Sequence, residues 1–288
     1  MRFIIILLPL VLFAACHRAE KNAVVPVHIA TWAATGAERP AQITMPPLEA
    51  VPPQSAVPWA GTVSHHLLAG AVIEAWFAQL AERNPGIRTF FLLSPSHYGL
   101  STQTWSLAEC VWDCGGKTVC TDSAAERVLA ERLGVPYDEQ VFPNEHGINT
   151  LIPYIAQYFP QAQVCPIAVH GEPPLDQAQA QRLADALAPY FDSAGKRQNF
   201  LLISTDFAHH GDLAGTEFKD ARSRRFFAQP SRDTWIFCGC DNRPGVYTLS
   251  RFVQDGTHAA VLYHTNSYAL SGGMDADDIT SYFFSFLY

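Results

Sequence analysis

The sequence predicts a single three-layer α/β/α domain on a central mixed, largely parallel sheet, and three observations lead there. Short runs are apolar at consecutive positions, as in Phe90 to Leu93 and Phe200 to Ile203. Strands covered on both faces read this way, whereas half-exposed strands alternate. Amphipathic segments of helical period separate these runs, which implies helices on both sides of one sheet. From residue 59 to 288 no second linker interrupts the pattern, and a segment of that length fits one large α/β domain.

The elements follow in order. Residues 1–15 carry Arg2, an apolar run from Phe3 to Phe13, and Ala14-Ala15 directly before Cys16. That is the layout of a secretory signal, and the run is shorter than the roughly 20 apolar residues a bilayer span needs. Small residues before a cysteine are the processing pattern of a bacterial lipoprotein, so Cys16 is expected to be the lipidated first residue of an exported, membrane-anchored chain. An uncleaved N-terminal anchor is the alternative, and it also puts the domain outside the cytoplasm. His17 is not the Asp that retains many lipoproteins at the inner membrane, which points to the outer membrane in a cell with two membranes. Residues 16–58, rich in Ala and Pro, read as a tether and extended lead-in, with Val24 to Ala30 a candidate edge strand.

In residues 59–288, strands are expected at Gly61 to Val63, Phe90 to Leu93, Val164 to Val169, Phe200 to Ile203, Ala259 to Tyr263 and Ile279 to Leu287. Helices are expected over Ala71 to Arg83, Ser123 to Leu133, Asn149 to Phe159, Asp176 to Phe191 and Thr216 to Phe227. The second of these opens on Ser123-x-x-Glu126, which reads as a capping box. Pro153 falls in or near the first turn of the third, where proline is tolerated.

Charge and cysteine content bound the partners. Removing Arg2 leaves 18 Lys and Arg against 27 Asp and Glu, a formal charge of −9. Nucleic acid and anionic lipid call for a basic patch, so neither is an expected partner; the lipid on Cys16 has to hold the chain to its membrane. Outside the cytoplasm a disulfide among Cys110, Cys114 and Cys120 is plausible, because Gly115-Gly116 reads as a hairpin turn. A zinc knuckle is the rival reading, weakened by the lack of a nearby fourth ligand.

The histidines gather at strand ends. Val63 leads to His65-His66, Leu93 to His97, Val169 to His170, Ile203 to Asp206 and then His209-His210, and Tyr263 to His264. Chemistry in open α/β sheets collects beyond the carboxyl ends of the strands, and neutral imidazole is the commonest metal ligand. If the strands before His65, His97 and His209 are parallel neighbours, their rings converge. Asp206 is placed to orient an imidazole or take a proton, and Glu145-His146 adds an acid and a base. His170 and His264 read as polar exit residues, and His66 and His210 as pointing elsewhere.

Five motifs in order carry a family resemblance: Gly61-Thr-Val-Ser-His65, Phe90-Phe-Leu-Leu-Ser-Pro-Ser-His97, Glu145-His-Gly-Ile-Asn-Thr-Leu-Ile-Pro-Tyr154, Ser204-Thr-Asp-Phe-Ala-His-His-Gly211 and Cys238-Gly239. From Gly61 onward the chain resembles the Memo-like proteins, also called AmmeMemoRadiSam system protein B, which are similar in fold to class III extradiol dioxygenases. The resemblance implies a metal cleft with His65, His97 and Cys238 as ligands and with His209 and Asp206 beside them. Two departures stand out. Ser64-His65-His66-Leu67-Leu68 replaces the common Pro-His-Ala-Gly-Tyr. Asn149 and Leu151 replace the Glu and His of a Glu-His-Ser-x-Glu-x-His stretch, which leaves acid–base work to Glu145, His146, Asp206 and His209.

The expected function is therefore a metal-binding, dioxygenase-like redox protein. Fe(II) is the expected metal and Cu or Zn the alternatives, acting on an unknown small molecule or peptide. The other readings are a non-catalytic metal- or peptide-binding module and a zinc hydrolase. A serine hydrolase is disfavoured because the chain has no Gly-x-Ser-x-Gly elbow.

Overall fold

The computed structural model describes residues 24–171 and 176–288. The expected signal segment and Cys16 lie outside the described residues. In chain order the strands are β1 (Val27–Ala30), β2 (Ala60–Val63), β3 (Thr89–Pro95), β4 (Trp105–Ser106), β5 (Cys110–Asp113), β6 (Thr118–Cys120), β7 (Gln163–Val169), β8 (Asn199–Ser204), β9 (Phe207–Gly211), β10 (Ala259–Asn266) and β11 (Ile279–Leu287). The helices are α1 (Trp32–Thr35), α2 (Gly70–Arg83), α3 (Ser123–Leu133), α4 (His146–Asn149), α5 (Ile152–Tyr158), α6 (Gln177–Leu187), α7 (Leu213–Ala228), α8 (Arg243–Arg251) and α9 (Ser267–Leu270). None of them is long and apolar enough to cross a membrane.

The main sheet runs β10-β11-β2-β8-β3-β7-β4, with β9 pairing β11. Its centre, β2, β8, β3 and β7, is parallel, and the flanking pairs are antiparallel. This is the expected mixed, largely parallel α/β/α architecture. Successive residues of the central strands pack on opposite sides. Phe90, Leu92, Phe200 and Leu202 meet Trp76 and Phe77 of α2 and Ile155 of α5. Phe91, Leu93, Leu201 and Ile203 meet Leu129 of α3, Leu183 of α6, Phe226 of α7 and Val246 of α8. Both faces are dry, which is why the strand sequences do not alternate.

A second sheet, β1-β5-β6, is built from the lead-in and the cysteine hairpin. Val27–Ala30 is a strand, as expected, and pairs in parallel with Cys110–Asp113. Gly115 and Gly116 make the hairpin turn with positive φ, the backbone region glycine enters without a Cβ penalty. The expected disulfide is not formed, and Cys110, Cys114 and Cys120 are free thiols. Cross-strand register explains why the outer two do not meet: Cys120 lies opposite Val111, and Cys110 is buried while Cys120 is exposed. Neighbouring strand positions point to opposite faces, so these side chains diverge.

Two helix expectations change. The segment predicted as one helix over 149–159 is two short ones, His146–Asn149 and Ile152–Tyr158. Pro153 sits at the start of the second, and its missing N–H ends the continuous ladder. The capping box at Ser123 does not form. Asp122 caps α3 by accepting from the Ala125 N–H, and Ser123 donates to Glu109.

Glu126 instead turns into the core, where it is fully buried. Its Oε1 accepts from the Ala108 N–H at 3.1 Å, and the Cys165 thiol lies 2.7 Å from Oε2. Burial raises its pKa well above the ordinary carboxylate range, and the Cys165 and Ala108 hydrogen bonds offset this only in part. A raised folded-state pKa contributes stability that is present below the unfolded value and lost as pH rises towards the folded one. Stability should therefore decline as pH climbs from about 5 to about 8. Glu126→Gln keeps the acceptor for the Ala108 N–H, turns an amide N–H to the Cys165 sulfur and removes the charge, so its stability should fall less than that of the parent protein as pH rises. Urea unfolding at both pH values measures this, and parallel pH profiles for the two proteins would contradict it.

Candidate metal centre

The parallel strands β2, β8 and β3 deliver their carboxyl ends to one side, and residues just beyond them form the site. His65 follows β2, Asp206 follows β8 and His97 follows β3. Across the cleft runs the loop before α8, fixed by fully buried Asn242. The Asn242 side-chain amide donates to the carbonyls of Leu93 (2.9 Å) and Ser204 (3.0 Å), and its Oδ1 caps α8 by accepting from the Gly245 N–H. One side chain thus ties β3 and β8 to the helix start.

That tie aims Asp241. Its Oδ1 accepts from the Thr205 hydroxyl at 2.7 Å and the Asp206 N–H at 3.0 Å, which leaves Oδ2 facing the histidines. Oδ2 lies 3.5 Å from His65 Nε2, 3.5 Å from His209 Nε2 and 3.8 Å from His97 Nε2. These separations are long for hydrogen bonds. They are close to the spacing of atoms that share one ion, about 3–3.5 Å for bonds of about 2.1 Å.

Two imidazoles have their tautomers set from behind. The Ser204 hydroxyl has one proton and donates it to the Gly147 carbonyl at 2.6 Å. His65 Nδ1, 3.0 Å from that oxygen, must then donate, so the lone pair of neutral His65 sits on Nε2 in the cleft. Burial lowers the His65 pKa, against the pull of Asp206 and Asp241, which favours this neutral form. His97 Nδ1 lies 2.5 Å from Glu145 Oε1, and the His97 N–H donates to Oε2. A carboxylate behind an imidazole in this way orients a metal-ligating histidine. Burial disfavours the His97 cation, but Asp241 and Glu145 outweigh it and lift the pKa to about 9. Glu145, despite its burial, is held below the usual carboxylate range by His97.

His146 packs on His97 with ring centroids 4.1 Å apart, and its Nδ1 meets the Tyr98 hydroxyl at 3.0 Å. Burial together with His65 and His97 pushes its pKa down to about 3, so it is neutral. His209 is half-buried at the rim. Burial opposes its charge, but Asp241 raises its pKa. Asp241 itself, although largely desolvated, is held far below the usual range by His209 and His97.

Unpartnered polar atoms concentrate here. His97 Nε2, His209 Nε2, both carboxylate oxygens of Asp206 and Asp241 Oδ2 are buried without hydrogen-bond partners. Asp206 is fully buried, with its Oδ2 3.6 Å from His65 Nε2. Leaving carboxylates so placed is costly, and a divalent cation satisfies the carboxylates and the imidazole lone pairs together. Two groups have ligand atoms close enough for an ion: His65, His97 and His146, and His65, Asp206 and Asp241.

His65, His97, His209, Asp206, Glu145 and His146, all singled out in the sequence, therefore come together. Cys238 is in neither ligand group. It is buried on the wall of an adjoining cavity, and burial raises its thiol pKa well above the ordinary value. The acidic group that reaches the imidazoles from this loop is Asp241, which sequence reasoning missed. The available signal was an Asp directly before Asn242-x-Pro244, a helix start beyond the last expected helix. His66 does not simply point away: its Nδ1 lies 2.9 Å from the Tyr282 hydroxyl and 3.4 Å from Asp206 Oδ2. His170 is exposed, whereas His264 is held by Asp220 at 2.8 Å in a separate network.

The sequence model of the Memo-like protein family matches residues 55–228, more than half of the chain. The chain belongs to the Memo-like family. Among similar curated proteins, a MEMO1 family protein of Pyrobaculum arsenaticum is 28% identical over 130 residues, 45% of each chain. One from Pyrobaculum aerophilum is 24% identical over 191 residues, 66% of this chain and 64% of its own. One from Caldivirga maquilingensis is 23% identical over 137 residues, 47% of each. The alignments thus span about half to two thirds of these relatives' length. In this Memo-like chain the loop carrying Asp241 lies beyond the span the family model matches.

Because the Ser204 hydroxyl fixes the tautomer of His65, Ser204→Ala should keep the fold and weaken divalent-metal affinity by about 10- to 100-fold. Competition with a chromophoric chelator for zinc, beside a circular-dichroism check of folding, measures this. A folded variant with unaltered affinity would contradict the role given to Ser204.

Proposed function

We propose that this Memo-like protein holds a divalent metal through nitrogen and oxygen atoms, with His65, His97 and Asp241 as the core ligands, and that the metal is iron(II) in a redox, dioxygenase-like centre. The observation that carries the reading is the convergence of three imidazole nitrogens on an unpartnered Asp241 oxygen. Two histidines and one carboxylate, with positions left open, form the ligand set characteristic of non-haem iron(II) oxygenases. The metal, when bound, supplies Lewis acidity and one-electron chemistry at the cleft. Cys238, the ligand implied by family resemblance, is replaced in this proposal by Asp241, because the carboxylate faces the imidazoles and the thiol does not join them.

The remaining residues have distinct tasks. Ser204 and Glu145 hold the ligand imidazoles with their Nε2 atoms inward. His209, at the rim with a raised pKa, is placed to hold a proton and pass it to a ligand in the cavity beside it. Asp206, next to His65 and His66, adds negative charge from the strand side and is a further oxygen ligand. Neutral His146, against Tyr98, walls the opposite side. Residues 1–16 support, independently, the proposal of an exported lipoprotein anchored through Cys16.

Elemental analysis of protein purified without a histidine tag should find iron near one per chain. Asp241→Asn should lower that content by about 10-fold or more, and Cys238→Ser should leave it largely intact. Stoichiometric zinc would favour the hydrolase reading, and loss of metal in Cys238→Ser alone would reverse the ligand assignment. Because Asp241 and Glu145 lift the His97 pKa to about 9, metal binding below that pH has to displace its proton. Apparent affinity should then rise by close to tenfold per pH unit from about 7 to 9. A flat pH profile would contradict His97 as a ligand.

A further inference from the structure

Beside the histidine cluster lies a cavity of about 590 Å³, whose lining includes His209 and Asp241 on one side and Ile236 and Phe237 on another. The volume is that of a small-molecule site. Its charged walls are unexpected in a chain of net charge −8: Lys219, Arg222 and Arg243 all line it, and its one acidic residue, Asp241, directs its carboxylate to the imidazoles.

The three cations are held by the fold but not neutralised. The Lys219 ammonium donates to the His209 carbonyl at 3.0 Å, which fixes its position and leaves other donors free. Arg243 stacks over Trp235, with its guanidinium carbon 5.6 Å from the ring centroid, and its Nε is buried without a partner. Arg222 is exposed at the rim. No carboxylate pairs with any of the three among the described residues, whereas nearby Arg224 is fully engaged by Glu49. Three cations around one cavity, none paired with a carboxylate among the described residues, make a wall that favours an anion.

We propose that this cavity binds a small organic anion, a carboxylate or phosphate carried on an apolar body, as the substrate of the adjoining centre. Arg243, Arg222 and Lys219 take the charged group, and exposed Ile236 with Phe237 takes the apolar part. The body then lies against His209, on the side from which the metal cluster is reached. The proposal rests on the metal reading only for this orientation, because the anion site is complete without a metal.

The test uses ¹⁹F NMR titrations of the purified protein, as isolated and after chelation. The probes are 4-fluorobenzoate, 4-fluorophenyl phosphate and the neutral 4-fluorobenzamide. At least one anion should bind, about 10-fold or more tightly than the amide, and the tighter anion identifies the preferred head group. Arg243→Gln and Arg222→Gln should each weaken anion binding about 5-fold or more and leave the amide unaffected. Arg222 is exposed on α7, so its variant remains informative if Arg243→Gln disturbs the start of α8. Equal affinity for the amide, anion affinities unchanged in folded variants, or no anion binding at about 10 mM would overturn the proposal. Anion binding that persists after chelation supports a site complete without a metal, whatever the elemental analysis finds, and its loss on chelation would overturn that claim.

Discussion

The arrangement of the cleft depends on one constraint, a buried carboxylate oxygen on Asp241 that has no donor and is surrounded by imidazole nitrogens. Every nearby hydrogen bond keeps it so. Thr205 and the Asp206 N–H occupy the other oxygen, Asn242 locks the loop to β3 and β8, and Ser204 and Glu145 hold His65 and His97 from behind. The carboxylate and the imidazoles around it offset one another's charge, but a buried ionic cluster of this kind is weak evidence of a gain in stability. The same preorganisation is what a ligand site requires.

Much of this was legible in the sequence because it follows from strand physics. Runs such as Phe90 to Leu93 are continuous because both faces are buried, so the parallel core and its order of elements could be read directly. His65 and His97 could be read because they stand where parallel strands end. Asp241 could not, because its reach depends on Asn242 bridging two strands far apart in sequence, and no local pattern encodes that. Cys238 entered through the family resemblance alone; it lines the adjoining cavity and belongs to neither group of converging ligand atoms. Glu126 misled for a related reason: its spacing from Ser123 suits a cap, but tertiary burial against Ala108 and Cys165 prevails over the local preference. The cysteine hairpin likewise showed its turn but not the register that separates Cys110 from Cys120.

An all nitrogen-and-oxygen ligand set also bears on where the protein can work. A thiolate ligand outside the cytoplasm is exposed to oxidation, whereas histidine and carboxylate ligands are indifferent to disulfide chemistry. The proposed export through Cys16 and the proposed centre at Asp241 are therefore compatible, with buried Cys238 and half-buried Cys240 free to remain thiols beside the cavity. That cavity and the proposed centre share His209 and Asp241, so on these proposals ligand recognition and reactivity meet at one wall.

X-ray absorption spectroscopy of the metal-loaded protein tests the central claim most directly, because it reads the ligand atoms without a crystal. The account predicts a first shell of nitrogen and oxygen at about 2.0–2.2 Å with imidazole outer-shell scattering and no sulfur. A sulfur shell at about 2.3 Å would contradict it and return Cys238 to the metal.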